Sequence, residues 1–249
     1  MNVLRPMILA LGFLLLWQAV VSLSGVPPYI LPGPLPVGQA VVTHFPALAR
    51  HLGTTMAEIL LGLTLGTILG TLAALVMIMS PFFKRWLLPV LVVSQAIPVF
   101  ALAPILVLWL GYGMASKVGM AVLIIFFPVA SSFYSGMQRT DPDLLELARI
   151  MGARRLKVLS VIIVPSALPA FASGLRVATA VAPIGAVVGE WVGSSAGLGF
   201  YMLHANARMQ IDIMFAALTV LAAVSLGLYF LVDRLLAKLV FWQPQGGIS

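Results

Sequence analysis

The sequence contains no cysteine and no motif for binding nucleotides. Without cysteine the chain can form neither a disulfide, nor a thiol nucleophile, nor a cysteine-based metal site. Its histidines, His44, His51 and His204, do not have the spacing of metal ligands. The stretch "GYGMASK" at residues 111–117 lacks the last residues of a Walker loop, G-x-x-x-x-G-K-[ST]. We therefore expect no metal, no cofactor and no ATPase site in this chain.

Charged residues are also scarce. They make up 8% of the 249 residues, whereas 61% are hydrophobic and the mean hydropathy is +1.11. A soluble core of this size cannot bury so much apolar surface. The net charge of +7 does not indicate a nucleic-acid partner, because the basic residues lie at the ends of apolar runs and form no stripe. The sequence predicts an all-α polytopic protein embedded in membrane lipid, with residues 1–249 as one membrane domain.

Several apolar runs reach the ~20 residues that a transmembrane helix needs. The first run is too long for a signal peptide and has no A-x-A site, so we expect it to be retained. The prolines of "GVPPYILPGPLPVGQ" predict an extended external segment, followed by a short surface helix over residues 37–51. We predict six transmembrane helices, at about residues 7–24, 54–79, 87–110, 117–136, 167–188 and 212–236.

The distribution of basic residues predicts the orientation of these helices. With a cytoplasmic N-terminus, ten of the fourteen basic residues lie inside, Arg176 lies within a span, and only Arg50, Lys117 and Arg208 lie outside. This excess is the positive-inside bias that orients membrane proteins. We therefore expect both termini in the cytoplasm.

One cytoplasmic connection has helix signals of its own. In "RTDPDLLELARIMG", Asp141 is suited to an N-cap, Pro142 to the first turn and Gly152 to a helix stop. Leu144, Leu147, Ala148 and Met151 share one apolar face. This pattern predicts an amphipathic helix too short to span the membrane. A second short helix would follow from residue 153 and end at Pro165.

The same connection carries a motif at fixed offsets. Its residues match the pattern E-A-A-x-x-x-G-x9-I-x-L-P, with Leu147 in place of the first alanine and Val164 in place of the leucine. The matching residues are Glu146, Ala148, Gly152, Ile162 and Pro165. On this motif the chain resembles the inner-membrane permease subunits of bacterial ABC importers, over about residues 50–236.

The resemblance implies a type-1 importer permease fold in the bacterial inner membrane. Residues 140–165 would be the loop that docks onto a cytoplasmic ATPase subunit, and the other partners would be an extracytoplasmic solute-binding protein and a second copy of the permease. The expected coupling residues are Glu146, Ala148, Arg149, Gly152, Arg154, Arg155, Ile162 and Pro165. ATP hydrolysis would belong to the partner subunit.

Three further segments are similar to the nitrate, sulfonate and taurine group of these permeases. They are "SQAIPVFALAPILVLWLGYG", "LPAFASGLRVA" and "GEWVGSSAGLGFYM". The stretch "APIGAVVGEWVGSS" is most similar to permeases for pyrimidine precursors of thiamin. The resemblance therefore implies a small polar or anionic solute.

Polar or helix-breaking residues within the spans are candidates for the solute pathway. An ionisable group in a span is costly and commonly faces the bundle interior, and a proline frees a backbone carbonyl one turn earlier. The candidates are Glu58, Gln95, Pro98, Arg176 and Glu190. Simple helix packing remains an alternative for Pro98, and Arg176 is close enough to the inner interface to snorkel.

Gly62, Gly66 and Gly70 form two overlapping G-x-x-x-G patterns, which favour close helix contact. We interpret them as a packing face.

Two other functional classes are alternatives. An ion-coupled secondary transporter would need buried carboxylates near the midplane, and the sequence places none there clearly. The stretch "GSSAG" at residues 193–197 matches the nucleophile elbow of hydrolases, but that motif needs a strand-turn-helix context and a histidine-acid pair.

Overall fold

The computed structural model describes residues 4–242, with side chains from residue 7 onwards, and contains helices but no strand in this range. A π-helical turn, Leu159–Ile163, joins the helices Arg155–Val158 and Val164–Gly193 without a break. The helices are α1 (Leu4–Ser24), α2 (Pro34–Thr43), α3 (Phe45–Met79), α4 (Pro81–Ala96), α5 (Val99–Leu110), α6 (Met114–Gln138), α7 (Pro142–Ile150), α8 (Arg155–Val158), α9 (Val164–Gly193), α10 (Leu198–Ala207) and α11 (Ile211–Leu239).

Five continuous helical segments in the described residues are long and apolar enough to cross a membrane, and a bent pair makes a sixth. The segments are Met7–Ser24, Phe45–Met79, Met114–Gln138, Arg155–Gly193 and Ile211–Leu239. The prediction of about six spans in an all-α membrane protein is therefore confirmed.

The third predicted span is not one straight helix. Its two parts, α4 and α5, meet at an angle of 105°. The break falls at Ile97, which is extended with φ −86° and ψ 122°. A residue before proline is pushed away from helical angles because the proline ring clashes with its backbone, and here that proline is Pro98. The Pro98 ring therefore favours the end of α4 at this point, so that the predicted third span is divided into two helices instead of forming one kinked helix.

The predicted surface helix over residues 37–51 is also wrong in its extent. The short helix α2 ends at Thr43, and Phe45 already begins α3. With 35 residues, α3 is about 52 Å long, well above the ~30 Å of a hydrocarbon core. Residues 45–51 are therefore the first turns of the long helix α3 and not part of a separate surface helix.

In the connection after α6, the first predicted short helix is present as α7, but the second differs from the prediction. Asp141 accepts a hydrogen bond from the Asp143 backbone N–H at 2.9 Å, and Pro142 begins α7. Gly152 has φ +66° and follows the end of α7. The second predicted helix does not end at Pro165. Pro165 lies just after the π-helical turn Leu159–Ile163, where the regular α-helical hydrogen-bond pattern is already interrupted, and the helical segment continues through it from Arg155 to Gly193.

Close packing at small residues holds α3, α6 and α9 together at the centre of the bundle. A Cβ added to Gly62 would lie 2.4 Å from Cβ of Ala121, and one added to Gly66 would lie 2.6 Å from Cγ2 of Ile125. From α9, a Cβ added to Gly185 would lie 2.7 Å from Cα of the same Ala121. The packing interpretation of the glycine face is confirmed.

The two ends of the bundle are distinguished by α7 and α10. At the α7 end, the last residues of α3 and the side chains of Arg149 and Arg155 line a cavity of about 510 Å³. At the α10 end, His51 of α3 accepts a hydrogen bond from the Gly197 N–H at 3.1 Å. Gly189 of α9 packs there against Lys117 of α6.

Candidate functional site

The α7 segment, residues 140–165, presents apolar side chains that its own chain does not cover. Ala148 faces the bundle and is buried, whereas Leu147 and Met151 are 53% and 75% exposed. These two residues also line a surface groove of about 600 Å³ between α7 and the start of the long helix that contains α9. An exposed apolar surface outside the spans is typical of a protein contact.

The same segment carries several exposed charged side chains. Glu146, Arg149, Arg154 and Arg155 are all exposed, and within residues 7–242 the structure shows no ion pair for any of them. Lys157 and Arg154 line the groove itself. The segment therefore combines an apolar centre with a basic rim, an arrangement common in protein interfaces.

Backbone geometry fixes the angle between α7 and the long helix. Gly152 donates to the Arg149 carbonyl at 3.0 Å, and Ala153 donates to the Ala148 carbonyl at 2.9 Å. The positive φ of Gly152 makes this tight reversal possible without the clash that a Cβ would cause. Ile162 and Pro165, the last residues of the motif, lie half-buried where the long helix enters the bundle.

The candidate pathway residues do not lie together. Gln95 and Pro98 are exposed at the break between α4 and α5. Arg176 of α9 donates to Asp233 of α11, with Nε and Oδ1 2.6 Å apart. Sequence analysis did not anticipate this partner, because 57 residues separate the two positions.

Glu58 and Glu190 lie elsewhere, in a closed cluster at the α10 end. Their side chains are 0% and 1% exposed, and their carboxyl groups are within hydrogen-bonding reach of each other. Buried Thr55 and Lys117 belong to the same cluster, which we call the carboxyl cluster. The sequence named Glu58 and Glu190 as separate candidates and gave no sign that Lys117 and Thr55 are their neighbours.

A second polar feature that sequence analysis missed is a groove of about 480 Å³ between α6 and α9. It opens towards the surface of the bundle, and Arg139 lies at its α7 end. Its other polar residues are Ser131, Ser132, Ser135 and Ser173. The available signal was the spacing of the three serines in α6, since Ser135 lies about one helical turn after both Ser131 and Ser132.

The "GSSAG" stretch lies in the loop between α9 and α10, so Ser195 follows a helix. A nucleophile elbow requires a strand before the serine, and the described residues contain no strand. The hydrolase alternative therefore gains no support from the fold.

The chain is similar to known proteins in both its sequence and its fold. The family described as "Binding-protein-dependent transport system inner membrane component" matches residues 62–241. A probable ABC transporter permease protein of Haemophilus influenzae is 52% identical over 96% of this chain and 98% of its own length. The formylaminopyrimidine transport permease ThiX of Halalkalibacterium halodurans is 36% identical over 97% of both chains.

The riboflavin transport system permease RibX of Chloroflexus aurantiacus is 38% identical over 92% of this chain and 87% of its own length. Taurine and aliphatic sulfonate permeases are also among the relatives, at 29% identity, as the resemblance implied. Among solved structures, a chain of the MetNI methionine ABC transporter superimposes with a TM-score of 0.68 and 17% identity, covering 79% of this chain and 97% of that chain. The fold is therefore that of type-1 ABC importer permeases.

The match over residues 62–241 and the 52% identical relative lead to one conclusion: the chain belongs to the binding-protein-dependent inner-membrane components, the permease subunits of ABC importers.

Proposed function

We propose that the α7 segment is the surface through which an ATPase subunit drives this permease. The observation that carries the proposal is the continuity of the segment with a span. Arg155–Gly193 is one helical segment that begins at the α7 turn and ends beside α10. A push on α7 would therefore move a rigid element that crosses the whole bundle.

The surface chemistry supports this partner. Leu147 and Met151 offer apolar contacts at the centre of the groove, and the basic rim suits acidic groups on the partner. Glu146 and Arg149 are exposed on the same helix and are proposed to pair with it. Gly152 sets the angle at which α7 meets the long helix. ATP would be bound and hydrolysed by the partner.

We propose that the α7 end faces the cytoplasm and that both termini lie there. Arg149, Arg155 and the start of α4, which carries Lys84 and Arg85, lie at the α7 end. The end of α11, with Arg234 and Lys238, packs near the first turns of α9. Among the described residues, this end therefore collects most of the basic side chains, as the positive-inside rule requires.

The other proposed partners lie elsewhere on the molecule. A solute-binding protein would dock at the α10 end, which faces the opposite side of the membrane. A second copy of the permease would complete the translocation pathway, and lipid would cover the remaining apolar surface, including exposed residues such as Leu108 and Phe13.

The proposed pathway uses the polar groove between α6 and α9 together with Gln95, Pro98 and Arg176. Serine hydroxyls on a membrane-spanning helix suit a water-filled path, because lipid cannot satisfy them. Arg139 at the α7 end of the groove would favour an anionic or strongly polar solute. Glu58 and Glu190 are enclosed in this conformation and would reach solute only if α10 moved.

For the solute we propose a small polar heterocycle of the hydroxymethylpyrimidine kind. The support is the full-length similarity to a permease named for formylaminopyrimidine, together with the "APIGAVVGEWVGSS" stretch. A sulfonate or taurine is the second candidate, favoured by Arg139 in the groove. A thermal-shift screen of the cognate binding protein against pyrimidines, riboflavin, taurine and sulfonates separates them, since a ligand raises Tm. A shift with sulfonates alone would reject the pyrimidine proposal.

The coupling proposal can be tested by cross-linking, because the chain has no cysteine of its own. Met151→Cys places a single thiol on the exposed α7 surface, and Met209→Cys places one at the α10 end with 64% exposure. With the ATPase subunit present, a thiol-to-amine cross-linker should join only the Met151→Cys protein to it. Cross-linking of both variants, or of Met209→Cys alone, would contradict the proposed docking surface.

A membrane-impermeant maleimide tests the orientation with the same pair of variants. In intact cells it should label Met209→Cys and not Met151→Cys, and in inverted vesicles the pattern should reverse.

A further inference from the structure

The carboxyl cluster places two acidic side chains in contact without exposure to solvent. Glu58 of α3 and Glu190 of α9 are 0% and 1% exposed, and each carboxyl group is within hydrogen-bonding reach of the other. Two carboxyl groups in contact in a low-dielectric interior repel each other strongly when both are ionised. A single proton shared between the two groups would remove this repulsion.

Glu190 has the environment of the ionised partner. Its Oε1 accepts a hydrogen bond from the Thr55 hydroxyl at 2.6 Å. Its Oε2 accepts from the backbone N–H groups of Gly199 and Phe200, at 2.5 and 3.3 Å. These N–H groups belong to the first turn of α10, where the helix dipole also favours negative charge. Hydrogen bonds of this kind stabilise the carboxylate form.

Glu58 has the opposite environment. Both of its oxygens are buried, and in the part of the chain that the structure describes they accept no hydrogen bond from an N–H or O–H group. A buried carboxylate without donors is strongly disfavoured. A protonated Glu58, by contrast, has a donor to offer, and the acceptor within its reach is Glu190.

We propose that Glu58 carries the proton and donates it in a hydrogen bond to the Glu190 carboxylate, so that α3, α9 and α10 are joined by a carboxylic acid–carboxylate pair.

The neighbouring charged groups are consistent with this assignment. Lys117 of α6 is 6% exposed, donates to the Tyr112 carbonyl at 3.2 Å, and is close enough to attract the carboxyl of Glu58. His51 of α3 accepts the Gly197 N–H at Nδ1, so that nitrogen carries no proton and the ring is neutral. With Glu58 protonated, one ammonium balances one carboxylate. With Glu58 ionised, the cluster would hold an excess negative charge.

The pair has a mechanical consequence for α10. Thr55 accepts the Leu198 N–H at 2.8 Å while it donates to Glu190. The backbone N–H groups of residues 197–200, at the start of α10, therefore all donate to side chains of α3 or α9. Gly197, at φ +108°, allows the loop to approach so closely that an added Cβ would lie 2.1 Å from Cδ of Glu190. Loss of the shared proton would place two negative charges at this junction and loosen α10 from the bundle.

Infrared spectroscopy of the purified protein tests the proton directly. The chain has seven acidic residues, and apart from Glu58 and Glu190 all of those are exposed or half-exposed. At neutral to mildly alkaline pH, we expect the C=O stretching band of a protonated carboxylic acid in the unmodified protein, with a shift in D2O. The band should be lost in Glu58→Gln and retained in the control Asp212→Asn, whose carboxyl is exposed.

Two outcomes would overturn the proposal. Absence of the band in the unmodified protein would show that both groups are ionised, and a band that persists in Glu58→Gln would place the proton elsewhere. Neither outcome depends on whether the chain is coupled to an ATPase.

A thermal denaturation series in detergent tests the hydrogen bond itself. Glu58→Gln keeps a donor for Glu190 and should leave Tm nearly unchanged, whereas Glu58→Leu removes the donor and should lower Tm by about 5 °C or more. The folded protein holds a proton that a solvated glutamate releases, so the stability of the unmodified protein should fall as the pH rises, and that of Glu58→Gln should fall less. Equal Tm values and pH profiles for Glu58→Gln and Glu58→Leu would overturn the proposed bond.

Discussion

Arg176 in α9 donates to Asp233 in α11 across 2.6 Å, and this ion pair joins two membrane-spanning helices of the described chain. Both side chains are partly exposed, at 29% and 40%. An ionisable residue in a span that already has a partner has a structural explanation before a transport role is considered. The ion pair with Asp233 therefore gives Arg176 a structural role that does not require contact with solute.

We predict that exchanging the two charges of this ion pair restores the stability that a single charge reversal removes. Asp233→Arg alone should lower Tm because two cations then face each other, and adding Arg176→Asp should recover most of the loss. The coupling free energy from the double-mutant cycle should be about 1 kcal/mol, as for partly exposed pairs. A double variant no more stable than Asp233→Arg would show that the ion pair contributes nothing.

The glycine face of α3 leads to a second prediction. Gly62→Val should destabilise the bundle by about 1–3 kcal/mol, because a Cβ at this position would lie 2.4 Å from Cβ of Ala121. Gly53→Val is the matched control on the same helix, since nothing lies within 4 Å of a Cβ there. Thermal denaturation of both variants checks the difference. Equal Tm values would contradict the close approach of α3 and α6.

The third prediction concerns the turn after α7. Gly152→Val forces a β-branched residue to φ +66°, which should cost about 1–2 kcal/mol locally and change the angle of α7. Uptake should fall several-fold while the amount of protein in the membrane stays close to normal. Gly111→Val controls for backbone strain, because Gly111 has φ +79° and open space around it but lies far from α7. Equal losses of uptake in the two variants would show that strain, and not coupling, is responsible.

The fourth prediction concerns the charge of α7. Glu146→Lys should leave the chain in the membrane but reduce the uptake obtained for each ATP hydrolysed, because the reversed charge opposes its proposed partner. The control is Asp212→Lys, an exposed acid at the other end of the bundle. Parallel assays of ATP hydrolysis and uptake in proteoliposomes measure the ratio. An unchanged ratio in Glu146→Lys would exclude this residue from coupling.

Local features of this fold could be predicted from the sequence because each depends on nearby residues. The capping of α7 by Asp141 and the stop at Gly152 follow from side-chain size and backbone freedom within one short stretch. The packing of Gly62 and Gly66 followed from their helical spacing. The resemblance to importer permeases similarly depended on five residues within twenty positions of the sequence.

Features that depend on distant residues could not be predicted. The hydrogen bond between Thr55 and Glu190 joins positions 135 residues apart, and no local pattern contains that information. The effect of each proline on its helix was also difficult to predict, because it depends on the backbone conformation of the residues before it. Pro98 ends a helix after an extended residue, whereas Pro165 lies inside a helix that was already formed.

The most direct test of the account is reconstitution of the chain in proteoliposomes with and without its ATPase subunit and binding protein. We predict that solute accumulates only when both partners and ATP are present, and that a proton or sodium gradient alone drives none. Accumulation driven by an ion gradient in the absence of the ATPase would contradict the account and would favour a secondary transporter.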